Sequence, residues 1–177
     1  MTKYKKFLLI MGFAMLFSAS NFSSNTCLAA DINQPEKKAN ILVTSTNIDM
    51  SSKVVDSNLE RAIRESLNKI EGPLYQDDLD SIKFIGVLND GIINDLSGLE
   101  YLRNLEEIRV LHINGVKDLS PLANLKSLEY LTLEFGDIED LSPLSKLENL
   151  KELNLIGNNV KDIEPISNLK NLDSIDL

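Results

Sequence analysis

Apolar residues in this chain advance by steps of three that break into a single step of two. Leucines stand at 119, 122, 125, 128, 131 and 133, and again at 141, 144, 147, 150, 153 and 155. An α-helix alternates steps of three and four, and a half-buried strand keeps steps of two. The threes therefore predict a short 3₁₀-like or irregular turn, whose side chains at i and i+3 eclipse on one face. The twos, Leu131 with Leu133 and Leu153 with Leu155, predict short strands with both leucines inward and the residue between them outward.

The unit repeats. PLANLKSLEYLTLEFGDIEDLS starts at Pro121, PLSKLENLKELNLIGNNVKDIE at Pro143 and PISNLKNLDSIDL at Pro165, a period of 22 residues. Two diverged copies precede them at a period of 23, one from Gly98 and a half-copy from Leu79. Proline cannot donate a backbone hydrogen bond, so at 121, 143 and 165 it is placed at the start of the turn, and Gly98 takes that position earlier. Fixed self-similarity at this length, on the pattern L-x-x-L-x-L-x-x-N-x-I/V, marks a leucine-rich repeat solenoid. The fold class expected is α/β, with parallel short strands on one side and 3₁₀ or irregular turns on the convex side. One such coil cannot bury its own rims; stacked coils share them.

Ahead of the repeats, VVDSNLERAIRESLNKI reads as a capped amphipathic helix. Asp56 or Ser57 can accept the free amides of its first turn, Leu59, Ile63, Leu67 and Ile70 share a face, and Gly72 and Pro73 stop it. A second short helix is expected through YQDDLDSI. Residues 54–80 are thus an N-terminal helical cap over the first coil, and 79–177 hold about four to five repeats, uncapped at the C-terminal end. The chain stops at Leu177, inside the strand of its last coil, which predicts either a reading frame cut short or another molecule covering that end. Residues 1–30 have a basic start (Lys3, Lys5, Lys6), an eleven-residue apolar run from Phe7 to Phe17 and small residues at Ala29 and Ala30, as a signal peptide does. Residues 31–53 are polar and without sustained periodicity, a flexible lead-in.

This order of parts resembles the N-terminal portion of the bacterial internalin family over roughly residues 54–177. The resemblance rests on the cap NLERAIRESLNK followed by 22-residue coils carrying LSPLANLKSLEYLTL and LSPLSKLENLKELNLIGNNVKDI. It implies a secreted or wall-attached, virulence-associated protein of a Gram-positive bacterium. It also implies a protein partner, such as a host receptor, held on the concave face. The sequence departs from the family pattern at the turn asparagine: Asn158, and Asn114 after a one-residue shift, supply it, while Gly136 and Gly91 replace it elsewhere, so those coils are expected to be looser.

The columns of the concave face follow from the repeat. The candidate partner-binding residues are Glu107, Arg109, Leu111, Tyr130, Thr132, Glu134, Phe135, Glu152, Asn154 and Ile156. Tyr130 and Phe135 beside Leu111 and Ile156 make an apolar and aromatic stripe rimmed by acids, the composition of a protein-binding surface. The competing reading turns Leu88 and Leu111 inward as ordinary core, because the 23-residue coils carry one extra residue.

Charge and composition narrow the chemistry. The chain has a formal net charge of −9. Without residues 1–30 it holds 15 basic against 27 acidic residues, a net −12. Such a surface repels nucleic acid and anionic lipid, so neither is expected as a partner, nor is stable membrane insertion after leader cleavage. Cys27, the sole cysteine, lies in the leader, and His112 is the sole histidine. No HExxH, GxSxG or phosphate-loop motif occurs, so no catalytic residue, metal, cofactor or small-molecule substrate is assigned. Asp95, Asp118, Asp140 and Asp162 form a column that stacking could turn into a cation site, but in turns aspartate more often accepts backbone amides. NDGIIND, residues 89–95, lacks the alternating ligands of a calcium loop and reads as a turn. The function expected is a secreted or cell-surface protein-binding module. The alternative is a truncated repeat remnant or spacer with no binding activity of its own.

Overall fold

The computed structural model describes residues 48–87 and 91–177. The expected leader at 1–30 and most of the lead-in lie outside the described residues. Each coil contributes one strand to a single parallel sheet in sequence order: β1 (Phe84–Val87), β2 (Glu107–Val110), β3 (Tyr130–Leu133), β4 (Glu152–Asn154) and β5 (Ser174–Asp176). The pairing joins Ile85, Ile108, Leu131, Leu153 and Ile175 in one inward column. The sheet is thus the leucine-rich repeat ladder that the period of 22 to 23 residues requires.

The steps of three have a direct backbone cause. Leu122, Leu125 and Leu128 each donate an amide proton to the carbonyl of the leucine three residues earlier, at 2.9, 3.0 and 3.0 Å. Leu144, Leu147 and Leu150 do the same in the next coil, at 2.9, 3.0 and 2.9 Å. Consecutive i→i+3 bonds keep every third side chain on one face, and that face is the core. Prolines 121, 143 and 165 sit within the first two positions of the 3₁₀ turns Ser120–Leu122, Ser142–Lys146 and Glu164–Ile166. Gly98 immediately precedes the turn Leu99–Tyr101 with φ +108°, and a Cβ there would lie 2.8 Å from Val54 Cγ2. Glycine here serves both a left-handed backbone and the close passage of the incoming chain.

The cap holds two helices, α1 (Ser57–Ser66) and α2 (Gln76–Asp80). Asp56 is the N-cap of α1 and accepts from the amides of Asn58 and Leu59 at 2.9 and 3.1 Å. Its other oxygen accepts from the Asn94 amide at 2.8 Å, tying the cap to the first coil. Burial by itself would raise the Asp56 pKa, but these amide bonds outweigh it and hold the carboxyl below its ordinary value. Asn58 Nδ2 donates to the Ile92 carbonyl at 2.9 Å, and Gln76 Nε2 to that of Tyr101 at 2.8 Å.

Two details of the expected helix change. Its buried residues are Leu59, Ala62 and Ile63, with Leu67 only partly covered, and Ile70 lies beyond the helix and is 81% exposed. The stop comes before Gly72 and Pro73: Asn68 adopts φ +51°, its amide bonds Glu65 O at 3.0 Å, and the Lys69 amide bonds Arg64 O at 2.9 Å. This is a Schellman closure, with asparagine in the left-handed position. Packing also reaches upstream of residue 54, where Met50 is buried and its amide bonds Leu74 O at 2.7 Å. Among the described residues no helix is long and apolar enough to cross a membrane.

The corners between coils are built in two ways. Asn158 donates to the carbonyls of Leu133 and Leu155, both at 2.8 Å, and its oxygen accepts from the Ile138 amide at 3.2 Å. The Asn114 side chain does not take this role: it is exposed, and its Nδ2 donates to Asn94 Oδ1 at 3.4 Å rather than to carbonyls of the neighbouring coils. Ile93 and Ile113, both buried, pair across the earlier corner instead, so part of the 89–95 stretch is a bridge rather than a turn. The Gly136 corner is not loose. A Cβ on Gly136 would lie 2.5 Å from Ile113 Cδ1 and 2.8 Å from Asn158 Oδ1.

Candidate functional site

The outward faces of β1 to β5 form rows across the sheet. Phe84, Glu107, Tyr130, Glu152 and Ser174 make one; Gly86, Arg109, Thr132, Asn154 and Asp176 make the next. Beyond the strand ends follow Leu111, Glu134 and Ile156, then His112, Phe135 and Gly157. The structure brings all ten candidate residues to this one side of the array. Leu88 lies outside the described residues, while Leu111 is half-buried and stands apart from the core cluster, in register with the outward row.

Polar residues here are largely tied to each other. Glu107 and Arg109, two apart on β2, form an ion pair. Lys151 bonds Glu129 at 2.6 Å and lies over the half-buried Tyr130 ring, 5.8 Å from its centroid. The Glu129 bond keeps the Lys151 ammonium above its ordinary pKa. Glu134 accepts from Asn154 Nδ2 at 2.8 Å, and Asn154 Oδ1 accepts from the Ile156 amide at 3.0 Å. Thr132, half-buried, lies between Arg109 and Asn154 in its row. Glu152 is exposed beside Tyr130.

The apolar part centres on Phe135. It is 54% exposed and holds φ +60°, a conformation that bulky residues seldom adopt. Its amide donates to Ile156 O at 2.9 Å, and its ring stacks on His112 with centroids 5.8 Å apart and planes 23° from parallel. The ring edge crosses Gly157, where a Cβ would come within 2.6 Å of Phe135 Cδ1. Ile156, 40% exposed, continues the patch. Backbone strain held at an exposed aromatic is a feature of recognition sites. His112 was not among the residues the sequence singled out. Its column was legible, but nothing in the repeat marks a ring stacked across coils.

Elsewhere the aspartate column is accounted for by turns. Asp95, Asp118, Asp140 and Asp162 each accept the amide two residues on, at 2.8 Å in every case. For Asp140, the Ser142 hydroxyl and amide hold the carboxyl below its usual pKa. Among the described residues no three metal-ligating side chains gather into a site. Leucine spacing does not announce a second ladder: Asn149 and Asn171 donate to Lys126 O and Glu148 O of the coil before, both at 2.7 Å, and Asn104 donates to Asp80 O at the end of α2 at 2.8 Å.

The sequence matches no protein-family model and no curated protein. Among solved structures, the internalin InlF from Listeria monocytogenes is similar, with 33% identity and a TM-score of 0.68 over 76% of this chain and 40% of that one. This chain therefore spans well under half of that structure's length. Internalin C2 (18% identity, TM-score 0.33, 74% of this chain and 97% of that one) and InlJ (16%, 0.41, 72% and 37%), both from the same organism, align too weakly to add to this.

Proposed function

We infer that this internalin-like leucine-rich repeat protein acts outside the cell as a non-enzymatic protein-binding module, engaging its partner on the outward face of the sheet. The observation that carries the reading is the exposed, strained Phe135 stacked on His112 and continued by Ile156. Its stacking on His112 and its cover over Gly157 hold the ring in a left-handed backbone while leaving more than half of it exposed, the arrangement expected where strain serves recognition. The rim of tied polar residues around it matches the anatomy of a binding patch, with an apolar centre and a polar edge. Export through the leader at 1–30 and adhesion to a host-cell receptor complete the proposal; they draw on the leader sequence and on the likeness to internalins.

The test is an array of purified cell-surface ectodomains probed with the protein. A specific binder should lose about tenfold or more in affinity, roughly 1.4 kcal/mol, on Phe135→Asn. Asparagine tolerates the left-handed backbone, so the circular dichroism spectrum should stay unchanged. Binding indifferent to this substitution would place recognition elsewhere, and no binding at all would leave the spacer reading standing.

A further inference from the structure

The uncompensated charge on the outward face has one sign. Arg109 is paired with Glu107 on its own strand, and Lys151 is held by Glu129. Glu134 spends one oxygen on the Asn154 amide yet keeps its charge. Glu152 and Asp176, on β4 and β5, are exposed and have no partner among the described residues. Adjacent parallel strands lie about 4.8 Å apart, so Asp176 sits one strand from Asn154, whose side chain bridges Glu134 and Ile156. The face that carries Phe135 and Ile156 thus also carries Glu134 next to Phe135, Asp176 one strand from Asn154 and Glu152 beside Tyr130, and among the described residues no cation pairs with any of the three.

Resting on the binding face assigned above, we propose that its partner presents a basic segment: an apolar side chain set against Phe135 and Ile156, flanked by arginine that takes up Glu152 and Asp176. Arginine fits better than lysine. Its guanidinium bonds a carboxylate through two N–H groups and also stacks on an aromatic ring, and it is the more weakly hydrated cation. An acidic or neutral segment would leave these carboxylates facing like charge or losing water without return.

The probe is a random peptide library displayed on phage and panned against the folded protein at low ionic strength. Selected peptides should carry arginine beside an aliphatic or aromatic residue. Their affinity should fall about tenfold with Phe135→Asn and about tenfold with Glu152→Gln combined with Asp176→Asn. Added salt should weaken them as well. Both carboxylates are exposed, so the double variant should keep the wild-type unfolding midpoint, which is checked alongside. Peptides lost with Phe135→Asn but neutral or acidic, and indifferent to the double variant, would overturn the basic-segment inference and leave the binding face intact. Peptides indifferent to Phe135→Asn, or no selection at all, would overturn both.

Discussion

Ile85 in β1 and Ile175 in β5 occupy the same inward column, yet Ile85 is fully buried and Ile175 is 41% exposed. The difference is in what lies alongside. Helix α1 packs against β1, and β5 is the last strand of the sheet, paired on one edge only. In a stacked array, burial is a property of a residue's neighbours rather than of its own coil. Identical substitutions at the two ends should therefore have unequal costs.

Truncating the column gives the largest contrast. Ile85→Ala should destabilise by about 2–5 kcal/mol, while Ile175→Ala should cost under about 1 kcal/mol. Urea unfolding followed by circular dichroism measures both, and equal losses would refute the comparison. At the corners, Asn158→Ala should cost about 1–3 kcal/mol, because it strands two carbonyls and an amide; Asn114→Ala should shift the same curve by less than about 0.5 kcal/mol. The cap offers a test with a pH signature. Asp56→Ala should remove about 1–2 kcal/mol. Because the folded pKa of Asp56 is depressed, its contribution is present above the unfolded carboxylate value, near about pH 4, and fades as pH falls through the folded value. Thermal midpoints taken between neutral and acid pH should consequently drop less steeply for Asp56→Asn than for wild type. Lys151→Met belongs with Asn114→Ala among the smallest effects, since the Glu129 pair is half-exposed; a stability change above about 1 kcal/mol would contradict the weakness of such pairs.

Much of this was legible from the chain. A strict period fixes register, because residues one period apart must face the same way, and so every strand column could be written down in advance. What escaped was set by local geometry rather than by period. The end of α1 depends on Asn68 entering the left-handed region, which no apolar spacing announces, and Ile70 was misplaced with it. The Asn114 corner went to Ile113 because an extra residue in the longer coils shifts which side chain faces inward. The Asn149 and Asn171 ladder does show the 22-residue spacing, but Ser127 interrupts it before Asn104, and the eye follows the leucines. On the outward face the repeat gives the two rows of strand positions that the pairing shows, whereas the stacking of His112 on Phe135 takes coordinates to see, since it joins two different coils.

Gly136 stands between a corner filled by isoleucine and one filled by asparagine, with the side chains of Ile113 and Asn158 converging on the space its own would need. It acts as an adapter between two building styles. Repeat units are consequently not interchangeable at this junction: exchanging the isoleucine-cornered coil for an asparagine-cornered one would change one of the two side chains that fill the space over Gly136.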